Sequence, residues 1–210
     1  MFLINVLESI GFIGLVYIAF TLVVAITVHE FAHAVTADWL GDPLPRSQGR
    51  ITLNPLMHLD PLGSILFLMA GFGWGRPVLT QPWYYRNGVL TGGAMVAAAG
   101  PLSNLVLAII GALVYRIVVL VLPGRNTELF FFFFINLNAL LLFFNLLPIP
   151  PLDGYKVLLG LLPRELAAQY QRIEPYGFFI LLALVFFGSA VFNAIIYTPT
   201  RFLTNLLLGS

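Results

Sequence analysis

Long apolar stretches dominate the pattern of this chain and alternate with short polar connections. A helix needs roughly 20 mostly apolar residues to cross a bilayer, and four segments have that length, at about 10–40, 89–122, 128–147 and 174–197. A fifth apolar run, Pro61–Phe72, is too short to cross easily, so we expect it to enter the membrane and return. The pattern predicts an all-α integral membrane protein, a helical bundle of about four full spans plus this re-entrant or short segment.

The connections between the first two spans are dense in Gly and Pro. They hold two short strand-like runs, Arg50–Leu53 and Pro77–Thr80, which predict a small β-hairpin-like loop. No polar stretch is long enough for a soluble domain, so we expect one membrane-embedded domain over 1–210, with its core at about 10–160 and an accessory C-terminal helix at about 174–205. The apolar N-terminus lacks the basic residues that open a signal peptide, and we expect it to be retained as a membrane helix.

The composition narrows the chemistry. Charged residues make up 9% of the chain, against about 25% in soluble domains. The net charge of +1 provides no basic field for nucleic acid. Because cysteine is absent, thiol catalysis and iron-sulfur clusters are excluded, and any metal must be held by His, Asp or Glu.

The most polar motif of the first span reads HEFAH, from His29 to His33. Helical positions four apart lie about 40° from each other and roughly 6 Å along the axis, so both imidazoles can reach one metal ion. Glu30 falls beside that ion, where its carboxylate can take a proton from zinc-bound water, as in peptide hydrolysis. The alternative is that the motif only ends the helix in the headgroup region. Ionisable groups at membrane depth cost at least about 2.5 kcal/mol and usually have a partner, which favours a metal site.

A catalytic zinc site needs a third protein ligand and leaves the fourth position to water. The candidates are His58, Asp60 and Asp153. Asp153 is favoured because it sits among apolar residues in NLLPIPPLDG, where three prolines end the third span and Gly154 permits a tight turn. Asp153 could also serve as the N-cap of the helix that follows, a role compatible with metal binding.

The order of the spans tests this ligand set. His33 and Asp153 lie near the ends of the first and third spans, which face the same side if Pro61–Phe72 returns and opposite sides if it crosses. Seven basic residues then lie on the ligand side and three elsewhere: Arg46, Arg50, Arg76, Arg86, Lys156, Arg164 and Arg172, against Arg116, Arg125 and Arg201. Because basic residues concentrate in cytoplasmic loops, the site is predicted nearer the cytoplasmic face.

Three further polar residues are candidates for supporting roles. Asn104 and Asn145 lie near apolar span residues, where an unpaired amide costs several kcal/mol. Either could donate to the oxyanion formed during hydrolysis, or could instead bond between helices. His58 could carry protons or act as an extra ligand, or simply bond to a backbone carbonyl.

Together, HEFAH, GRITLNPLMHLDPLGS, FGWGRPV, AGPLSN and NLLPIPPLDG resemble the site-2 proteases, which are intramembrane zinc metalloproteases. The match is closest to the compact prokaryotic subgroup without a PDZ or CBS domain. The resemblance implies that His29, His33 and Asp153 bind one Zn²⁺ per chain and that Glu30 is catalytic. It implies a metalloendopeptidase of a prokaryotic cell membrane, whose partners are the lipid bilayer and transmembrane protein substrates cleaved within or near their spans.

Two other classes of protein remain as alternatives. A membrane metal transporter also uses His and Asp residues inside the bilayer, but it needs polar positions leading to both faces. A catalytically silent protein that binds membrane helices would not need Glu30.

Overall fold

The structure, a computed structural model, describes residues 2–63 and 75–209. Its α-helices are α1 Phe2–Trp39, α2 Leu44–Ser47, α3 Val89–Val121, α4 Arg125–Asn145, α5 Asp153–Leu161, α6 Arg164–Tyr170, α7 Gly177–Phe187, α8 Ser189–Phe192 and α9 Thr198–Leu208. Short 3₁₀ helices cover Pro55–Met57, Pro82–Tyr84 and Gln171–Tyr176, and a π-helical turn covers Asn193–Tyr197.

Within the described ranges, three helices are long and apolar enough to cross a membrane: Gly11–Trp39 within α1, then α3 and α4. Gly11 has a φ of 72°, a conformation that favours glycine, and it separates this span from the turns before it. The first three predicted spans are confirmed, and α4 begins three residues before the predicted 128. Many of the large apolar side chains of α3, such as Leu113, Ile117 and Leu120, are exposed, as expected of a surface in contact with lipid.

Close packing between α3 and α4 depends on small residues. A Cβ added to Gly111 would come within 2.7 Å of the Phe134 ring, so only glycine permits this approach. Ala108 and Ala112 of α3 pack with Ile135 of α4 in one buried cluster. The two helices therefore pack closely along their length, and α1 packs against both.

The fourth predicted span differs from a straight helix. The chain from Arg164 to Leu184 and the chain from Ser189 to Leu208 meet at an angle of 92°. Gly188 lies between them with φ −96° and ψ 31°, outside helical geometry, and glycine is a poor helix former. The C-terminal region is thus a bent pair rather than the single accessory helix expected over about 174–205.

The predicted hairpin-like loop is reduced to one antiparallel bridge, between Leu59 and Gly75. Neither Arg50–Leu53 nor Pro77–Thr80 forms a regular strand, since both runs lack a paired neighbour in the part of the chain that the structure describes. Most of the segment expected to dip into the membrane, residues 64–72 of Pro61–Phe72, lies outside the described residues.

The chain reverses direction between α4 and α5 through a tight, proline-rich turn. The backbone N–H of Ile149 donates to Leu147, and that of Leu152 donates to Ile149. Gly154 lies against the carbonyls of Leu146 and Leu147, at positions that any Cβ would occupy. The turn directs the first residue of α5 back toward α3 and α1.

The start of α3 is held at the end of α1. The backbone N–H of Arg86 donates to the carbonyl of Leu40 over 2.9 Å, and Tyr85 packs in a buried cluster with Ala37 and Leu40. The chain between α1 and α3 therefore leaves and returns at the same end of the bundle. This arrangement agrees with the predicted order of spans.

Candidate active site

Three side chains with metal-ligand atoms converge between α1 and α5. Nε2 of His29 and Nε2 of His33 are 3.0 Å apart, and they lie 3.1 Å and 3.3 Å from Oδ2 of Asp153. Both histidines are buried. The spacing of four residues on α1 brings the two imidazoles together, and the turn after α4 brings Asp153 to them across 120 residues of sequence from His33.

The separations within this cluster fit a metal ion. A tetrahedral zinc ion with bonds of about 2.0–2.1 Å places its ligand atoms roughly 3.3 Å apart. The three observed separations, 3.0, 3.1 and 3.3 Å, are close to that value. Within the described residues, this is the group of His, Asp and Glu side chains arranged to hold an ion.

The hydrogen bond that each imidazole makes through Nδ1 determines whether its Nε2 carries a proton. Nδ1 of His33 donates to the carbonyl of Val96 over 2.7 Å, and Nδ1 of His29 donates to Oδ1 of Asn104 over 2.8 Å. A neutral imidazole carries one proton, so each Nε2 presents a lone pair. Two lone pairs and a carboxylate oxygen meet with no donor among them, and a cation satisfies all three.

Gly100 of α3 leaves the space that an ion would need. A Cβ at this position would lie 2.5 Å from His29 Nε2 and closer still to His33 Nε2. Any larger residue would therefore fill the space in front of both imidazoles. The donor atoms, their spacing and this gap fit a bound zinc ion.

Glu30 lies beside the cluster and contacts the segment that follows the undescribed residues. Its Oε2 accepts a hydrogen bond from the backbone N–H of Val78 over 3.1 Å. A Cβ on Gly75 would lie 3.8 Å from its Oε1, so that glycine borders the same carboxylate. The extended run predicted as a strand thus passes next to the predicted base.

The other candidates for the third ligand lie elsewhere. Nε2 of His58 donates to the carbonyl of Thr52 over 2.7 Å, the backbone-bonded alternative considered for it. Asp60 accepts from the backbone N–H of Gly63. Asp153 is the first residue of α5, with Leu152 at the N-cap, and its side chain makes no capping bond because it faces the histidines.

The two asparagines have separate positions. Asn104 is fully buried, and its Oδ1 accepts a hydrogen bond from Nδ1 of His29. Its role toward the oxyanion stays a prediction. Nδ2 of Asn145 donates to the carbonyl of Leu141, one turn earlier in α4. To donate to the oxyanion through this N–H, as predicted, Asn145 would have to break its bond to the Leu141 carbonyl.

Two residues that support the site were not singled out from the sequence. The Arg50 guanidinium is buried and donates to the carbonyls of Met57, Arg76 and Pro77, the last two over 2.6 and 2.5 Å. Burial lowers the pKa of Arg50, and the nearby Glu30 charge opposes that shift. Asp42 is also buried and accepts from the backbone N–H groups of Leu44 and Gln81.

Arg50 and Asp42 together fix both ends of the run that passes Glu30. A signal for them existed in the sequence: each is a charged residue next to a glycine in a short loop between apolar segments. Only the fold shows that their partners are backbone groups up to 39 residues away.

Comparison with known proteins identifies the family. YwhC of Bacillus subtilis is named as a zinc metalloprotease. It is 44% identical to this chain over 174 residues, which are 80% of this chain and 79% of YwhC. The chain belongs to the site-2 protease family. A sequence profile of peptidase family M50 matches residues 121–188, which include Asp153.

Two further relatives carry zinc metalloprotease in their names. Rip2 of Mycolicibacterium smegmatis is 32% identical over 86% of this chain and 71% of its own length. Rip2 of Mycobacterium tuberculosis is 36% identical over 64% of this chain and 53% of its own length. No solved structure matches the chain significantly. Family membership and the three long apolar helices confirm the predictions of a membrane protein and of a metalloprotease.

Proposed function

We propose that His29, His33 and Asp153 hold one zinc ion and that Glu30 moves protons during hydrolysis of peptide bonds within or near transmembrane segments. The observation that carries this proposal is the convergence of three acceptor atoms within 3.3 Å, with no donor among them. The relatives named as zinc metalloproteases support the choice of zinc.

The residues of the chain divide the reaction between them. When bound, zinc polarises the scissile carbonyl and lowers the pKa of water to about 7. The Glu30 carboxylate accepts a proton from the attacking water and returns it to the leaving nitrogen. Asn104 and Val96 hold the two imidazoles in the tautomer that keeps Nε2 free of a proton.

The substrate is a transmembrane protein in a locally extended conformation. A membrane helix arrives with its amides bonded internally, so a scissile bond becomes accessible only where the helix unwinds. The extended run from Pro77 to Thr80 lies beside Glu30, where an unwound segment can add to its backbone.

We place the site nearer the cytoplasmic face. The connection between α1 and α3 contains four arginines, Arg46, Arg50, Arg76 and Arg86. This connection lies at the end of the bundle where α1 ends, and the HEFAH motif lies closer to that end of α1 than to its beginning. The positive-inside rule assigns that end to the cytoplasm.

The test compares Glu30→Gln with a matched variant, Glu128→Gln. Glu128 lies in the first turn of α4 and is exposed, so the same chemical change there leaves the site intact. Cleavage of a reconstituted single-span substrate is measured by mass mapping of the products. We expect Glu30→Gln to abolish this cleavage while bound zinc stays near one per chain. Glu128→Gln should cleave like the wild type.

Other outcomes would point to the alternatives. Full cleavage by Glu30→Gln would remove it from the reaction. Zinc uptake into liposomes by a wild-type protein that cleaves no substrate would instead support a transporter.

A further inference from the structure

A chain of hydrogen bonds leads from His29 through two buried asparagines to α4. Asn104 of α3 accepts from His29 Nδ1, and its Nδ2 donates to Oδ1 of Asn138 over 3.1 Å. Asn138 in turn donates from Nδ2 to the carbonyl of Phe134 over 2.8 Å. Both asparagines have 0% exposure, so water does not substitute for any of these partners.

The chain of bonds has one direction, which is set at its far end. The Phe134 carbonyl can only accept, so Asn138 must present Nδ2 to it and Oδ1 to Asn104. Asn104 must then present Nδ2 to Asn138, and also to the carbonyl of Ala25 at 3.4 Å. Oδ1 of Asn104 is left facing His29, which is obliged to carry its proton on Nδ1.

We propose that Asn138 is a positioning residue for the metal site: it fixes the amide orientation of Asn104 and, through it, the tautomer of His29. The inference rests on the proposed role of His29 as a zinc ligand. The side-chain hydrogen bonds of Asn138 go to Asn104 and to the Phe134 carbonyl rather than to His29, so its influence passes through Asn104.

Loss of Asn138 releases the Asn104 amide. With an apolar residue at 138, the buried Nδ2 of Asn104 loses its nearer acceptor, and rotation of the amide can present Nδ2 to His29. Nδ1 of His29 then accepts, and the proton moves to Nε2, where it blocks metal binding. Changes to groups that orient metal ligands typically cost about 10- to 100-fold in metal affinity.

The first experiment measures zinc affinity of the purified 210-residue chain by competition with a chromophoric chelator. We expect Asn138→Leu to weaken zinc binding by about tenfold or more. Asn136→Leu is the matched control, because Asn136 lies two residues earlier in α4 and bonds to Thr204 of α9 over 3.2 Å instead. Asn138→Ala, which removes the same acceptor with less bulk, is measured alongside in case the leucine variant does not fold.

The second experiment reads the tautomer directly by ¹⁵N NMR of the metal-free protein. The chain has three histidines, so their ring nitrogens can be assigned by substitution. We expect His29 protonated at Nδ1 in the wild type and in Asn136→Leu, with the Nε2-protonated form appearing in Asn138→Leu. This measurement does not depend on proteolysis, so it separates failure of the inference from failure of the proposed function.

A second-site variant distinguishes positioning from general packing. Asn104→Asp offers only acceptor oxygens to His29 whichever way its carboxylate turns. Added to Asn138→Leu, it should restore the Nδ1-protonated tautomer and most of the zinc affinity. An unchanged tautomer and unchanged affinity in Asn138→Leu, or no recovery in the double variant, would overturn the proposal.

Discussion

Gly100 offers the sharpest test of the space reserved for the metal. Replacement by alanine adds one Cβ, which would lie 2.5 Å from His29 Nε2 and closer still to His33 Nε2. A carbon atom at optimal contact stands about 3.5–4.0 Å from its neighbour. Either the imidazoles or α3 must move by roughly 1 Å, a displacement that spoils the separations the ligand atoms now have.

The magnitude follows from that overlap. Overpacking in a dense interior costs typically about 1–3 kcal/mol. The metal-free site can relieve this strain by moving the imidazoles, whereas the zinc-bound site cannot. At 1.4 kcal/mol per tenfold change, the loss of zinc affinity is therefore at most roughly 5- to 150-fold. Cleavage of a reconstituted single-span substrate at limiting zinc should fall in parallel.

Gly93→Ala provides the matched control in the same helix. A Cβ at Gly93 has no atom within 4 Å, so the change adds a methyl group without a clash. Alanine is favoured over glycine inside a helix by roughly 0.5–1 kcal/mol, so this variant should unfold at the wild-type temperature or slightly above it. Zinc affinity is measured by chelator competition and stability by thermal unfolding in both variants. Wild-type zinc affinity in Gly100→Ala as well as in Gly93→Ala would refute the reasoning.

Two further predictions concern Asp153 and Arg50. Asp153→Asn should weaken zinc binding by more than about 100-fold, because a charged ligand atom is lost rather than a supporting bond; wild-type affinity in the chelator assay would exclude it as a ligand. Arg50→Met leaves three backbone carbonyls without their donor, and each buried unsatisfied group costs about 1–3 kcal/mol, so thermal unfolding should occur at a clearly lower temperature. Arg46→Met removes an exposed ion pair with Asp38 and should change the unfolding temperature little. An equal fall in unfolding temperature in both variants would contradict this account.

The spans were predictable because a bilayer imposes a length on any apolar helix that crosses it. The prediction of 10–40 agrees with Gly11–Trp39, and that of 89–122 agrees with Val89–Val121. The same hydropathy does not register a change of direction. The apolar run around Gly188 therefore read as one span, although the two halves of the C-terminal region meet at 92°.

The sequence alone determined the local part of the site. The spacing of His29 and His33 places two imidazoles on one helical face, because helical periodicity is a property of neighbouring residues. Glu30 follows from the same turn. For the third ligand, the sequence offered three acidic or histidine candidates and an argument from chemistry and span order that favoured Asp153.

Only the tertiary structure decided which distant groups meet. It brought Asp153 to within 3.3 Å of both histidines, turned His58 to a backbone carbonyl, and put Gly100 against Nε2 of His29 and of His33. The pairing of Asn104 with Asn138 joins residues 34 apart on different helices. Such contacts depend on how the helices pack against one another, which the hydropathy of single segments does not specify. The sequence therefore determined the membrane helices and the HEFAH motif, and helix packing determined which distant side chains join the two histidines in the proposed ligand set and which bonds orient them.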